Sequence, residues 1–516
     1  MIPPTFPALL TTQAAGAAAN GSTTDPVSQL LVGAIIVGVF GLLALEKVHR
    51  LLVVIAAVAL LWAITYLTPF HLISFEGAQR ALDFNVLFLL ASMMAIVAVL
   101  KTTGVFAWAV ATMLNRAAGD PRRILLMLAW LTAVLSAFCD NVTTVIFVAP
   151  MALEVARALG VRPAAFLLPV VIASNVGGTA TLIGDPPNIM IGSGAGLSFV
   201  DFIVRLTPPI AVLMVFVTAF SSWYFRDQLA AARRTNGERV PVPPVTEPLL
   251  LRWALAISAL VFLGFFTHTL TGMPTSVPAT IGAGALLLVQ DVLYLRTHRP
   301  TPEERTHGLL TVVEKEIEWP TLSFFGFLFI AVGAAVQTGL IDTLAQGLGR
   351  LVQGGSATLG LGAVGTLLFA ALLIAWVSGV TSSIMDNIPF VAVMIPILHR
   401  LGDQLPGDTS VLWWALALGA CLGGNGTPVG ASANVTVLGI AERQGARISF
   451  REFTHFGAPV AAASLVLSSA FLASYVYFGG RRAAVAWTAL AVVLIGVQLL
   501  ARRAVSASVR PAVVLR

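Results

Sequence analysis

"SNVGGTATLIGDPPNIMIGSG" (residues 174–194) lies between the apolar runs 166–173 and 199–220, where an uninterrupted membrane helix would be expected. Paired glycines, Asp185, two successive prolines and two asparagines do not continue such a helix: glycine permits unusual dihedrals and close approach, and proline lacks the amide the helical ladder needs. Broken backbone at membrane depth is tolerated only where protein or a water-filled cavity satisfies its NH and CO groups. The stretch therefore predicts a helix interrupted near mid-membrane. Its released carbonyls, with Asn and Thr side chains, are hard oxygen ligands suited to Na+, and the positive end of the helix that restarts suits an anionic or polar solute.

The rest of the chain has a bilayer composition. Mean hydropathy is +0.90 and only 10% of the 516 residues are charged, with repeated apolar runs long enough to cross a hydrocarbon core of about 30 Å. Residues 1–28 have no basic start, continuous apolar block or cleavage site, and read as a disordered extracytoplasmic tail rather than a signal peptide. Two cysteines form no disulfide framework and no zinc or CxxC spacing. The net charge of +6 comes from basic residues scattered through short loops, which argues against a nucleic-acid partner.

Apolar blocks fall near 29–45, 50–68, 84–101, 123–159, 163–195 and 203–225, then 250–270, 276–295, 320–337, 360–400, 411–440, 455–478 and 483–501. The basic, proline-rich 226–249 reads as a cytoplasmic linker, and a second polar loop occupies 296–320. A shift of 246 residues lays 128–150 on 374–396, pairing Trp130 with Trp376, Ser136 with Ser382, Asp140 with Asp386, Asn141 with Asn387 and Pro150 with Pro396. The same shift pairs Gly177, Gly178, Thr181, Gly184 and Asn188 with Gly423, Gly424, Thr427, Gly430 and Asn434. "LSFVDF" matches "ISFREF" at a shift of 251, and "DFNVLF" matches "EWPTLS" at 235.

The predicted fold is an all-α polytopic membrane protein built as an inverted repeat. The first copy is 29–225, with a re-entrant hairpin at 123–159 and a broken helix at 163–195. The second is 250–478, with hairpin 360–400 and broken helix 411–440, and 479–516 adds an extra span and a cytoplasmic tail. Five crossings plus a hairpin per copy invert the second copy, the arrangement of many secondary transporters. With the N-terminus outside and the C-terminus cytoplasmic, about 23 of the Lys and Arg residues fall on the cytoplasmic side, as the positive-inside rule requires.

Asp140 and Asp386 fall at the predicted hairpin tips and Asp185 at the first helix break. An ionised carboxylate at bilayer centre costs about 2.5 kcal/mol or more, so such groups serve function by default. Neutralisation by a proton or Na+ would make them coupling groups; the plainer reading is helix capping, with Pro186 at N1 after Asp185. Candidate ligands of the coupling ion are Asp140, Asn141, Thr143, Asp185, Asn188, Asp386, Asn387 and Asn434, with Na+ sites at Asp140, Asn141, Asn188 and at Asp386, Asn387, Asn434. Candidate solute contacts are Thr144, Asn175, Gly177, Gly178, Thr181, Gly423, Gly424, Asn425, Thr427 and Ser432. The repeat mates of Thr143 and Thr144 are Pro389 and Phe390, and that of Asp185 is Ala431, so the two halves are chemically unequal. Asp83 and Glu318 match at span starts and read as interface residues, His399 as a polar boundary, and Cys139 and Cys421 as small apolar residues. No intramembrane Arg is evident.

"CDNVTTVIFVAPMA", "SNVGGTATLIGDPPNIMI", "MDNIPFVAVMIP" and "GACLGGNGTPVGASANV" followed by "GIAERQGARISFREF" together resemble the ion transporter superfamily, in particular the ArsB/NhaD permeases and, within that likeness, the P protein branch with its bacterial relatives. The resemblance runs from about 29 to 478. It implies a homodimer with a scaffold domain and a mobile transport domain, elevator-like alternating access, and ion and solute sites built from hairpin tips and broken helices. Related dicarboxylate carriers have Ser-Asn-Thr tips; Asp-Asn here would repel a dicarboxylate unless neutralised.

The expected function is H+- or Na+-coupled secondary transport of a small inorganic solute, arsenite or another anion. The alternatives are an NhaD-type Na+/H+ antiporter and a passive anion channel. An intramembrane aspartyl protease is disfavoured because Asp185 has no acidic repeat mate. With no GxxxxGK[ST] in the chain, no ATPase domain is expected. The expected partners are the lipid bilayer, the solute and a second copy, with no cofactor beyond the coupling ion.

Overall fold

The computed structural model describes residues 25–45, 47–117, 119–232, 242–297 and 312–508. Most of the predicted 1–28 tail, the middle of the 226–249 linker, most of the 296–320 loop and the last residues of the C-terminal tail lie outside the described residues.

All regular structure among the described residues is helical. Twelve of these helices are long and apolar enough to cross a membrane, and large apolar side chains such as Leu30, Leu67, Leu260, Leu270 and Val492 stand exposed on outer helices, where only lipid can cover so much apolar surface. The protein is a multi-pass membrane protein. Two packed groups of helices divide it. In one, Phe84–Thr102 packs on Ser276–Thr297, and Trp319–Gln337 packs on Arg50–Leu67. The other surrounds the two interrupted segments.

Pro121–Phe138 and Asn141–Leu159 are joined at Cys139–Asp140; Ala363–Ile384 and Asn387–Gly402 are joined at Met385–Asp386. The helix Ala164–Gly178 ends in the Gly-Gly pair and the chain restarts as Pro186–Ala195. In the second half, Val411–Gly423 is followed by two short 3-10 turns and Ser432–Arg443. Every residue of Ala164–Gly178 is buried, as are all but one of Val411–Gly423, so these two helices form the centre of the molecule. Each hairpin leans on the opposite half: Asn141–Leu159 packs on Ser432–Arg443, and Asn387–Gly402 on Pro186–Ala195.

Matching side chains hold matching places. Ser198 and Ser449, 251 residues apart, both cap long helices, Ser198 in a reciprocal bond pair with Asp201. Such a pair satisfies two amides that the helix start leaves open. One further helix in each half, Val105–Arg116 and Leu340–Thr358, precedes the hairpin. A bilayer-length window misses the first because it has only 12 residues, and the second because its apolar residues form only a stripe.

Candidate functional site

The carboxylates at the two hairpin tips first serve the helices that start there. Asp140 accepts from the Thr143 amide at 2.8 Å and from the Thr143 hydroxyl; Asp386 accepts from the Ile388 amide at 3.2 Å and from the Ser432 hydroxyl at 2.7 Å. Both are N-caps, satisfying amides that the first helical turn cannot. Both remain partly exposed, so capping leaves part of each carboxylate open.

Asp185 differs. It precedes Pro186 as an N-cap would, yet its side chain makes no capping bond. The residue is 2% exposed. Its Oδ1 accepts from Asn141 Nδ2 at 3.4 Å, and its Oδ2 has no hydrogen-bond partner. Asn387 and Cys421 stand next to it, and the charges of Asp140 and Asp386 reach it. Asp185 therefore sits where both hairpin tips and both broken helices meet. A buried carboxylate oxygen without a donor is costly, and here it is surrounded by neutral amides and a thiol rather than by a cation.

The asparagines around it join the halves. Asn188 Nδ2 donates to the carbonyls of Thr179 (3.2 Å) and Thr181 (2.8 Å), and Asn434 Nδ2 to those of Gly424 (2.8 Å) and Thr427 (2.9 Å). Each thus closes the break before its own half-helix. Their oxygens turn to the other half: Asn434 Oδ1 accepts from Asn175 Nδ2 at 2.9 Å, and Asn188 Oδ1 from Cys421 Sγ at 3.6 Å. Asn175 Nδ2 also reaches Asn425 Oδ1 at 3.0 Å, and Asn141 Nδ2 reaches Asn175 Oδ1 at 3.3 Å.

Thr181 and Thr427 donate to the carbonyls of Ala137 and Ser383, tying each break to the hairpin beside it. The glycines permit the close approach: a Cβ on Gly184 would lie 2.6 Å from the Ser136 carbonyl oxygen, and one on Gly430 2.7 Å from that of Ser382. A Cβ on Gly177 or Gly423 would strike the backbone of Ala133 or Gly379, and one on Gly178 or Gly424 would lie 2.5 or 2.6 Å from the Gly184 or Gly430 carbonyl oxygen.

Of the candidates, Asn188, Asn434, Thr181, Thr427 and the four glycines hold the breaks in shape. The polar atoms here that are buried without a partner are Asp185 Oδ2, Thr144 Oγ1 and Asn425 Nδ2. Those atoms offer one acceptor, one hydroxyl and one donor. Among the described residues no three His, Cys, Asp or Glu side chains converge to hold a metal ion.

The expectation of no intramembrane Arg meets an exception in Arg205, inside a span, while Arg50 stands at the first residue of another. Arg205 lies within the long helix Phe199–Tyr224 and donates to the Tyr475 hydroxyl, its guanidinium over the Trp414 and Tyr475 rings. Arg50, first residue of Arg50–Leu67, reaches the second hairpin tip: Nη1 donates to Ser432 Oγ at 3.2 Å and lies 3.9 Å from Asp386 Oδ2, while Nη2 donates to Thr321 Oγ1 at 2.8 Å. Arg50 follows "EKVH", which makes it look like a loop charge; its position as first residue of an apolar span was the available signal. His399 Nε2 lies 2.9 Å from the Gly194 carbonyl oxygen. Cys139 sits in a separate apolar cluster with Val97 and Phe106. Asp83 caps its helix through the Val86 amide at 3.1 Å, and Glu318 accepts from Thr321 Oγ1 at 2.8 Å.

Comparison with known proteins places this geometry. A family profile described as "Citrate transporter" (CitMHS) matches residues 40–419. An uncharacterized transporter of Mycobacterium tuberculosis is 38% identical over 85% of this chain and 96% of its own length. The P protein of Homo sapiens is 29% identical over 88% of this chain and 60% of its own length. The Alcanivorax borkumensis YdaH transporter structure superposes with a TM-score of 0.55, covering 88% of this chain and 98% of that one at 16% identity, which establishes a shared transporter fold. The interrupted helices, the paired hairpins and these matches make the chain a membrane transporter rather than an enzyme, and it belongs to the CitMHS citrate transporter family.

Proposed function

We propose that the protein is a secondary active transporter that couples a small anionic solute to H+ or Na+, with Asp185 as the central coupling carboxylate and Asp140 and Asp386 at its flanks. The observation that carries this reading is the unpartnered, buried Asp185 oxygen between the two hairpin tips. An ionised carboxylate at bilayer centre costs about 2.5 kcal/mol or more, so a proton or Na+ accompanies it. Asn141 and Asn387 are the polar side chains beside that cation. The solute is a small oxyanion, with arsenite, an uncharged trihydroxide at neutral pH, as the ArsB-type alternative; the family description adds citrate to the compounds worth testing.

Alternating access follows from an inverted repeat of five spans and one re-entrant hairpin per half. Its support is the set of hydrogen bonds repeated at an offset of 246 residues and the exchange of hairpin partners between halves. The helices around the breaks form the moving body, and the group built on Arg50–Leu67, Phe84–Thr102, Ser276–Thr297 and Trp319–Gln337 forms the scaffold through which two copies pair. The protein resides in a bacterial inner membrane, N-terminus outside.

A second reading, Na+/H+ antiport of the NhaD type, is favoured by Asp185 lying within electrostatic range of both Asp140 and Asp386. Purified protein in liposomes loaded with a pH dye separates these readings. Arsenite, phosphate, sulfate, citrate, Na+ and Li+ are added one at a time, with and without a Na+ gradient. The proposal expects proton movement, or Na+-dependent uptake, on addition of one solute. Movement triggered by Na+ or Li+ alone would establish antiport, and a reversal potential indifferent to pH and Na+ gradients would establish a channel.

A further inference from the structure

We propose that Arg50 is the residue that holds the solute anion, exchanging Asp386 for a carboxylate or tetrahedral oxyanion and thereby handing Asp386 to the coupling cation. This rests on the anion-transport reading above. A guanidinium presents five N–H donors in a planar fork. Two of them are used on neutral hydroxyls, Ser432 Oγ and Thr321 Oγ1. These hydroxyls donate their own hydrogens away from Arg50, to Asp386 at 2.7 Å and Glu318 at 2.8 Å, so each turns a lone pair toward it. The Phe324 ring covers the guanidinium with its centroid 5.6 Å from the central carbon. Arg50 is thus held in place by groups that do not neutralise it.

Among the described residues one carboxylate comes within 4 Å of the guanidinium, and it is poorly engaged. Asp386 Oδ2 stands 3.9 Å away, beyond hydrogen-bond range and well short of the two-pronged contact of about 2.8 Å that a carboxylate makes with a guanidinium. The Arg50 side chain is 33% exposed and that of Asp386 25%, so neither group is sealed inside the protein. Ser432, the hydroxyl between them, begins the half-helix after the second break.

The first half has no counterpart: among the described residues no ion pair involves Asp140. One anion position is expected per chain, beside Asp386. An anion that takes the fork offsets the positive charge beside Asp386 and leaves that carboxylate free for the coupling cation. Solute and cation each tighten the other's binding by the same factor.

The test compares full-length wild type, Arg50→Gln and Arg50→Lys in detergent, each shown monodisperse by gel filtration. Thermal unfolding is followed in citrate, phosphate, sulfate or arsenite against chloride at matched ionic strength, and uptake of the stabilising compound is then measured in liposomes. The expected result is a wild-type stabilisation by one oxyanion that disappears in Arg50→Gln and is partly kept in Arg50→Lys. The uptake KM should rise at least tenfold in Arg50→Gln, with a smaller change in kcat. Equal stabilisation of wild type and Arg50→Gln would overturn the role of Arg50 alone. A loss of kcat at unchanged KM for every solute would make Arg50 a mechanical tie between helix groups and overturn it too. If no panel anion stabilises wild type while Na+ or Li+ alone drives proton flux, the anion-transport reading falls and the assignment falls with it.

Discussion

Asn175 and Cys421 occupy the same place in the two halves, 246 residues apart, and each contacts the loop-closing asparagine of the opposite half: Asn175 Nδ2 lies 2.9 Å from Asn434 Oδ1, and Cys421 Sγ 3.6 Å from Asn188 Oδ1. With the bond from Asn175 Nδ2 to Asn425 Oδ1 at 3.0 Å, the two breaks are therefore clasped to each other by two strong hydrogen bonds and one weak one. Asn175→Ala leaves the oxygens of Asn434 and Asn425 without this donor in a buried site, at a cost of about 1–3 kcal/mol per stranded group. Cys421→Ala removes only a weak S–H donor and is expected to cost less. Melting curves of the purified variants check this: the first should fall clearly below the second.

The close approach at the breaks predicts a matched pair of failures. Gly184→Ala and Gly430→Ala place a Cβ against the carbonyl oxygens of Ser136 and Ser382, and forced overpacking of this kind costs about 1–3 kcal/mol. Both variants should melt lower than wild type by comparable amounts. A drop in only one would show that the halves do not share this packing in solution.

Arg205 and Arg50 are expected to respond differently to loss of charge. Arg205 is enclosed by Trp414 and the Tyr475 hydroxyl, contacts worth about 0.5–2 kcal/mol for the cation and ring alone. Arg205→Gln should lower the melting temperature while leaving the solute KM within a factor of two. Uptake kinetics beside a melting curve separate this from the Arg50→Gln result.

Asp140→Asn and Asp386→Asn retain their caps, because Asn serves the N-cap position about as well as Asp. Both proteins should remain folded and elute at the wild-type position in gel filtration. Solute-driven proton or Na+ movement should be lost in each, while Asp386→Asn still binds the stabilising anion through Arg50. Full coupled transport in the double variant would remove both tip carboxylates from the mechanism.

The sequence exposes some of this arrangement and hides the rest for physical reasons. Helix ends at Gly178 and Gly423 fall inside Gly-rich stretches, because residues that break the helical ladder are visible in any reading of the chain. The pairing of Asn175 with Asn434, by contrast, is tertiary, 259 positions apart. Repeat alignment sets Asn175 opposite a cysteine, so no shared residue type marks it. Arg50 stands beside loop charges yet reaches Ser432, 382 positions away. The isolation of Asp185 Oδ2 is equally hidden, since the Asp-Pro pair fits an ordinary helix start until the missing capping bond is seen.

The most direct measurement is solute-driven proton or Na+ movement by Asp185→Asn in liposomes, beside its melting temperature. The account predicts a protein that melts at or above the wild-type temperature, because a buried carboxylate has been made neutral, and in which coupled movement is lost. A variant that carries solute with wild-type coupling would contradict the assignment of Asp185 as the coupling group.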